Sequence, residues 1–311
     1  VALDIAHDME RLCPNAWLIN FANPSGLLTE AVLNHTNIRA IGLCNCPINM
    51  INDMSQKFSC SADDLFLDFV GINHLIWAQK VLLHGKDVTA EAIEKICDAS
   101  SKEIMANIPE VHYSPEFLRS LGMIPVSYLK YYYLQPQMLE ECLADSKSKG
   151  VRGEVVKSVE SELFTLYQDT DLKEKPEQLA RRGGARYSDA ACSLIDSIYN
   201  NKKDIQVVNV MNSGCNLDLP ENAVIERNCV IDSNGAHPIQ IGHTPLKIRG
   251  LLQNVKVYEQ LTIQAAIYGD RDAALQALTI HPLVNSAETA RLMLNDILSE
   301  NQAFLPKKKK K

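Results

Sequence analysis

Cys44 and His74 are the residues whose types and positions most directly indicate chemistry. Cys44 follows a predicted buried strand over 38–43, where a helix N-terminus would lower its thiol pKa and favour a nucleophile or metal ligand. His74 ends Gly71-Ile72-Asn73-His74, at the junction of two strand-like runs. Together they predict a mixed thiolate and imidazole metal site, although a buried thiol and a structural histidine are the more common roles. Cys46 adds only a C-x-C spacing, which is a weak zinc signal.

Tyr187 is a second candidate, because it follows Arg182-Gly183-Gly184-Ala185-Arg186 directly before a predicted helix with Ser188 as its N-cap. Two nearby positive charges favour the phenolate and predict a lowered pKa for Tyr187. The alternative is a surface turn in which the tyrosine covers the start of the helix. We interpret His237 and His243, close to a predicted turn, as structural residues.

The elements that position the first candidates predict an α/β arrangement. The predicted segments are a helix over 2–12, a strand over 16–22, a helix over 27–34 and a strand over 38–43. The apolar runs of both strands are typical of a parallel sheet buried on both faces. Ligands bind beyond the carboxyl ends of such strands, which singles out the loops Asn23-Pro24-Ser25-Gly26 and Cys44-Asn45-Cys46-Pro47. Both loops could equally be plain turns.

The rest of the chain alternates strand-like and helical stretches. These are strands over 65–70 and 75–83, a helical region over 88–180, strands over 204–212 and 223–231, and a helical region over 244–300. The predicted fold class is therefore α/β followed by α+β, beginning with the end of a Rossmann-type doubly wound parallel sheet. We predict a first domain over 1–50, a second over 51–306 and a lysine tail over 307–311.

Composition excludes several classes of protein. The apolar fraction of 46% and charged fraction of 22% are those of an ordinary globular protein, and no apolar run approaches the length of a membrane span. Without the five residues Lys307 to Lys311, the 31 basic residues become 26 against 38 acidic ones, which argues against nucleic-acid binding. The absence of a leader and the nine cysteines, several within apolar stretches, predict a cytoplasmic protein with reduced thiols.

Five motifs in chain order resemble glycoside hydrolase family 4, over nearly all of residues 1–306. They are Asn23-Pro24-Ser25-Gly26 with Thr29, Ile41-Gly42-Leu43-Cys44-Asn45 with Pro47, Gly71-Ile72-Asn73-His74, Arg182-Gly183-Gly184-Ala185 with Tyr187-Ser188, and the segment from Asn212 to Pro220. The resemblance implies a C-terminal domain like that of the lactate and malate dehydrogenases. It also implies hydrolysis of 6-phospho-β-glucosides through NAD-dependent oxidation at C3, proton removal at C2, elimination, water addition and re-reduction, with Mn²⁺ or another divalent metal.

The same resemblance implies roles for individual residues. By matching position, Cys44 and His74 would be the two protein ligands of the metal, and Tyr187 the base at C2. Asn23 would contact the substrate, and Asn45, the residue after the metal cysteine, favours β-glycosides of glucose 6-phosphate. The expected partners are a phosphorylated disaccharide or β-glucoside and further copies of the chain, as a homodimer or homotetramer.

The chain departs from the family pattern in several places. A glycine-rich dinucleotide loop and the stretch with the arginine for the 6-phosphate do not occur from Val1 onward, and Arg186 and Asn216 differ from the usual residues. We therefore expect a truncated product that binds NAD⁺ poorly, with the main NAD-binding loop upstream. Two alternatives stay open: a 2-hydroxyacid dehydrogenase that produces NADH, and a non-catalytic fragment that oligomerises through its helices.

Overall fold

The computed structural model describes residues 1–98, 108–109, 111–182 and 187–305. Its helices are α1 (Ala2–Leu12), α2 (Ser25–His35), α3 (Cys46–Phe58), α4 (Thr89–Cys97), α5 (Pro115–Leu121), α6 (Lys130–Tyr133), α7 (Gln135–Lys149), α8 (Arg152–Leu166), α9 (Gln178–Arg182), α10 (Tyr187–Tyr199), α11 (Leu246–Tyr268), α12 (Arg271–Ile280) and α13 (Ala287–Glu300). Its strands are β1 (Trp17–Asn20), β2 (Arg39–Gly42), β3 (Leu65–Ile72), β4 (Leu75–Leu83), β5 (Lys86–Asp87), β6 (Ile124–Pro125), β7 (Asp204–Met211), β8 (Val224–Asp232) and β9 (Gly235–Pro238). In these residues, no helix combines the length and apolar character that crossing a membrane requires.

One sheet contains five strands in the order β1-β2-β7-β8-β9. The predicted parallel pairing is confirmed for β1 and β2, whose registers run from Trp17 opposite Arg39 to Asn20 opposite Gly42. The other three strands are antiparallel to their neighbours, since β8 and β9 form a hairpin and β7 runs opposite to β2. The prediction that the first strand is buried on both faces is wrong, because every residue of β1 is half-buried at the edge of the described sheet.

A second sheet joins β3, β4 and β5, with β6 paired to β4. The turn between β3 and β4 requires a glycine at position 71, where φ is +151° and an added Cβ would lie 2.2 Å from the Leu75 carbonyl oxygen. His74 lies within this turn and has a left-handed φ of 64°, which is uncommon for a residue with a side chain. The turn therefore aims His74 in a direction that a regular hairpin strand would not.

The chain divides into two compact units. Unit 1 contains Val1–Cys44, Phe69–Ile76 and the chain from Asp196 onward, and unit 2 contains Asn45–Asp68 and Trp77–Ile195. In unit 1, α1 and α2 pack on the first sheet through a core of small and branched side chains, namely Ala6, Val32, Ile38 and Ala40. Buried side chains of unit 2 include Ala92, Ile93, Leu118, Leu121, Leu129 and Met138. The predicted boundary near residue 50 stays a prediction.

Most of the predicted elements are present within a residue or two of their expected bounds. The N-cap prediction at Ser188 is wrong, because Ser188 lies inside α10, which begins at Tyr187. All nine cysteines are free; Cys44, Cys46, Cys215 and Cys229 are buried, whereas the expectation of a buried thiol is wrong for Cys192, which is exposed. Residues 183–186 and the lysine tail lie outside the described residues.

Candidate metal centre

Cys44 and His74 lie side by side. Cys44 is buried directly after β2, and the ligand atoms of Cys44 and His74 lie within 4.8 Å of each other. A thiol and an imidazole are typical ligands of a divalent transition metal, with thiolates favouring zinc over manganese. The structure thus brings together the two predicted ligands, whose role as ligands stays a prediction.

Asn73 holds the turn that carries His74. Its side chain is buried, and its Oδ1 accepts a hydrogen bond from the backbone N–H of Ser25 at 3.1 Å. Its Nδ2 donates to Oε1 of Glu226 on β8 at 3.4 Å. A single amide therefore ties the Asn23–Gly26 loop, the β3–β4 turn and the first sheet to one another.

Two glycines of the sequence motifs make this close packing possible. A Cβ at Gly26 would lie 2.9 Å from the Asn73 Cβ. A Cβ at Gly42 would lie 2.5 Å from Thr29 Oγ1 and 2.8 Å from the Asn209 Cβ. Real Cβ atoms do not approach other atoms so closely, so both positions need a glycine. The motif glycines therefore serve contact between motifs that are distant in sequence.

Glu226 is a fully buried carboxyl group beneath the Asn73–His74 turn. Its Oε1 accepts hydrogen bonds from Nδ2 of Asn209 at 3.0 Å and from Asn73. Burial raises the pKa of Glu226 well above its usual value, and the charge of Cys44 raises it further. Hydrogen bonds from both amides and from the His74 backbone N–H act in the opposite direction. Sequence analysis missed Glu226, although a charged residue in the middle of an apolar strand could have indicated it.

A second buried charge cluster, the glutamate–lysine triad, consists of Glu30, Lys256 and Glu259. Nζ of Lys256 lies 2.7 Å from Glu30 Oε2 and 2.5 Å from Glu259 Oε2. Burial opposes the charge on Lys256, but the two carboxylates outweigh it and raise the lysine pKa. Burial raises the pKa of Glu259, against the lowering by Lys256 and by the charge of His74. The triad links α2 to α11, and sequence analysis did not predict it.

Asn23 and Asn45 occupy the two predicted ligand-binding loops. Asn23 is exposed in unit 1, at a cis peptide bond to Pro24 just before α2. Asn45 is buried in unit 2 and immediately precedes α3. Their predicted roles in substrate binding stay predictions.

Tyr187 is half-buried at the start of α10 in unit 2. Arg182, one of the two arginines expected to lower the Tyr187 pKa, forms an ion pair with Glu160 at 2.7 Å. Its charge is therefore partly compensated, and the other, Arg186, lies outside the described residues. The lowered pKa and the role of Tyr187 as a base stay predictions.

The histidines interpreted as structural each contact one carboxylate. Nε2 of His237 lies 2.9 Å from Asp232 Oδ1, and Nδ1 of His243 lies 3.0 Å from Asp218 Oδ1. Both rings are largely exposed, and each bond links neighbouring turns of unit 1. This setting agrees with a structural role.

Comparison with known proteins identifies the family. The sequence model for the "Family 4 glycosyl hydrolase C-terminal domain" matches residues 69–284, and that for "Family 4 glycosyl hydrolase" matches residues 1–59. The chain belongs to glycosyl hydrolase family 4. The resemblance drawn from the five motifs is confirmed: the first two motifs lie within residues 1–59 and the other three lie within residues 69–284.

Three similar family 4 proteins, each at least 34% identical to this chain, carry the name 6-phospho-β-glucosidase. The chain is 44% identical over 307 residues to a probable 6-phospho-β-glucosidase of Bacillus subtilis, with 98% of this chain and 70% of the relative covered. It is 39% identical to the 6-phospho-β-glucosidase of Escherichia coli, with 98% and 69% covered. The 6-phospho-β-glucosidase of Thermotoga maritima, solved with manganese, NAD⁺ and glucose-6-phosphate, superposes with a TM-score of 0.85 at 34% identity, with 97% and 70% covered. The predicted fold class is confirmed by this superposition.

Proposed function

We propose that this family 4 protein is a glycosidase that hydrolyses 6-phospho-β-glucosides, with NAD⁺ and a divalent metal ion as cofactors. The observation that carries the proposal is the placement of Cys44 beside His74, where two family motifs meet in unit 1. The names of the relatives and the ligands of the Thermotoga maritima protein support the substrate class and both cofactors.

The residues present fit a divalent metal ion. Cys44 and His74 would hold it, and two protein ligands leave positions for oxygen atoms of the sugar and of water. Those oxygens would make the site acceptable to Mn²⁺, which prefers oxygen ligands. The buried carboxyl of Glu226 supports a cation here, because no lysine or arginine within the described residues forms an ion pair with it.

Tyr187 is the proposed base. When bound, NAD⁺ supplies the acceptance and return of a hydride at C3 of the sugar, and the metal supplies Lewis-acid stabilisation of the charge formed after proton removal at C2. Tyr187 takes the C2 proton on its phenolate oxygen, and the bond from C1 to the aglycone oxygen breaks. Water then adds its hydroxyl group to C1, its proton neutralises the departing aglycone oxygen, and the phenol returns the first proton to C2. Asn23 binds the sugar, and Asn45 favours the β-anomer.

The location and assembly of the protein belong to the same proposal. Nine free cysteines support a reducing, cytoplasmic location. The predicted assembly is a homodimer or a homotetramer. The molar mass of the purified protein, measured by light scattering, tests this prediction.

The test is release of p-nitrophenol from its 6-phospho-β-glucoside by protein produced from the complete gene. Assays contain both cofactors, or lack NAD⁺, lack Mn²⁺, or contain EDTA, and the α-anomer serves as control substrate. We expect hydrolysis of the β-anomer that requires both cofactors without net formation of NADH. Turnover that ignores both cofactors contradicts the proposal, and NADH accumulation from a 2-hydroxyacid favours the dehydrogenase alternative.

Tyr187→Phe tests the base separately. General-base loss lowers the rate about 10²–10⁴-fold, and exchange of the C2 hydrogen with deuterated water should fall with it. Tyr199→Phe is the matched control, because Tyr199 ends the same helix and is 86% exposed. Unchanged C2 exchange in Tyr187→Phe would assign the base to another group.

A further inference from the structure

Glu226 and Asn228 occupy alternate positions of β8 and both reach the segment Phe69–Ile76. Oδ1 of Asn228 accepts a hydrogen bond from the Phe69 backbone N–H at 2.8 Å. Glu226 contacts the other end of the segment, through Asn73 Nδ2 at 3.4 Å and the His74 backbone N–H. Side chains two residues apart on a strand point to the same face. One face of β8 therefore anchors the whole segment that carries His74.

The two anchors differ in charge. Asn228 is neutral, whereas Glu226 is a carboxyl group that is completely inaccessible to solvent. Glu226 Oε2 has no hydrogen-bond partner with good geometry in the part of the chain that the structure describes. An ionised carboxylate is costly to bury without a compensating charge. The fold thus keeps, under the Asn73–His74 turn, a buried carboxyl group that forms no ion pair with a lysine or arginine of the described residues.

Glu226 is not placed as a metal ligand itself. Within the described residues, no glutamate oxygen belongs to the group of ligand atoms formed around Cys44 and His74. Glu226 acts on the metal ligands indirectly, through its contacts with Asn73 and the backbone of His74. Groups behind metal ligands fix the orientation of those ligands and tune the affinity for the ion.

We propose that Glu226 is the positioning residue of the metal centre: through Asn73 and the His74 backbone it holds the turn that orients His74, and its buried carboxyl group favours a divalent cation bound by Cys44 and His74. The inference rests on the metal centre of the proposed function. It goes beyond that function because it assigns a role to a residue that contacts neither the sugar nor the ion.

Glu226→Gln is the main test. Glutamine keeps one carbonyl oxygen for the amides of Asn209 and Asn73 but removes the charge. We expect the affinity for Mn²⁺, measured from the electron paramagnetic resonance signal of the free ion, to fall about 10–100-fold. Saturating Mn²⁺ should restore much of kcat, because the variant still assembles the site. The melting temperature without metal should stay equal or rise, while the increase on adding Mn²⁺ becomes smaller.

Asn228→Ala is the matched control. It removes a buried hydrogen bond from the same strand face to the same segment, so its melting temperature should fall. Its Mn²⁺ affinity should stay within about twofold of the wild type, because no charge behind the ligands is lost. A merely structural Glu226 would instead give the pattern of Asn228→Ala, with lower stability and unchanged affinity.

Glu226→Asp serves if the glutamine variant does not fold. It keeps the charge but shortens the reach to Asn73 and His74, so Mn²⁺ affinity should fall several-fold relative to Asn228→Ala. Wild-type Mn²⁺ affinity in either Glu226 variant overturns the inference, as does a wild-type protein that binds no Mn²⁺. Tight Mn²⁺ binding without any hydrolysis contradicts the proposed function alone, because the affinity comparison between variants still decides the role of Glu226.

Discussion

Unit 1 buries glutamates in two contrasting settings. In the glutamate–lysine triad, Glu30 and Glu259 share the ammonium group of Lys256, and Glu30 also accepts the Val224 backbone N–H at 2.7 Å. Beneath the metal centre, Glu226 contacts amides and a backbone N–H but no cation in the described chain. The triad largely balances its own charge and serves the fold. Glu226 has no cationic partner in the described chain, and we infer that a bound divalent cation takes this place.

This contrast separates stability from function. Removing one partner of a buried ion pair is strongly destabilising, because the remaining charge stays buried without compensation. Removing a charge that the protein never balanced has no such cost to the folded state. Substitutions in the triad should therefore change the free energy of unfolding, and substitutions around the metal centre should change metal-dependent activity.

Lys256→Met is the change with the largest expected effect. It leaves two carboxyl groups buried without their cation and should lower the free energy of unfolding by about 3–5 kcal/mol, measured by urea denaturation. Arg291→Met is the control, because Arg291 forms an exposed ion pair with Glu288 one turn away, and it should cost about 0.5 kcal/mol or less. If Lys256→Met lowers the free energy of unfolding no more than Arg291→Met does, the triad does not stabilise the fold as proposed.

Cys44→Ser should lower activity strongly and change the free energy of unfolding little. Loss of the thiolate should lower metal-dependent hydrolysis more than about a hundredfold, or about 2.7 kcal/mol of transition-state stabilisation, with a small change in unfolding free energy. The exposed Cys13 offers the same substitution away from the centre, and Cys13→Ser should retain full activity. Equal activity and Mn²⁺ dependence in the two variants would rule out Cys44 as a ligand.

Gly42→Ala tests how tightly the region around Glu226 is packed. The new methyl group meets Thr29 and Asn209, so the expected cost is about 1–3 kcal/mol of unfolding free energy. Gly250 on α11 has no atom within 4 Å of an added Cβ, and Gly250→Ala should stabilise by up to about 1 kcal/mol. If both alanine variants stabilise the protein, the close approach of β2 to Asn209 is not required.

His281 gives the smallest expected effect, beside the helix that carries Lys256. Burial lowers its pKa below 6.5, and its ring packs edge-on against Tyr258 at 4.5 Å. The unfolded chain therefore binds a proton more readily, so stability is lost as pH falls from about 6.5 towards the folded pKa. His281→Gln should reduce the loss measured between about pH 7.5 and about pH 5.5, whereas His112→Gln, at an exposed position, should not. An unchanged loss in both variants would contradict the assignment.

Local pattern was sufficient to predict the elements that carry the candidate residues. The helix at α1, the parallel pair β1 and β2, and the strands β7 and β8 follow from apolar periodicity, which burial imposes directly on neighbouring residues. Local pattern failed at β1, whose apolar sequence indicated burial on both faces, because exposure depends on which strands lie beside it. It also failed at Ser188, which lies inside α10 and not before its first residue.

The sequence by itself determined the family, the candidate ligand-binding loops that follow β1 and β2, and the pair of candidate ligands Cys44 and His74. Motif order and residue type carry that information without coordinates. Only the tertiary structure decided what lies behind the ligands. Asn73 meets Glu226 across 153 positions of sequence, and Glu30 meets Lys256 across 226. Contacts at such separations depend on how distant elements pack, and no local periodicity records which buried charge will find a partner.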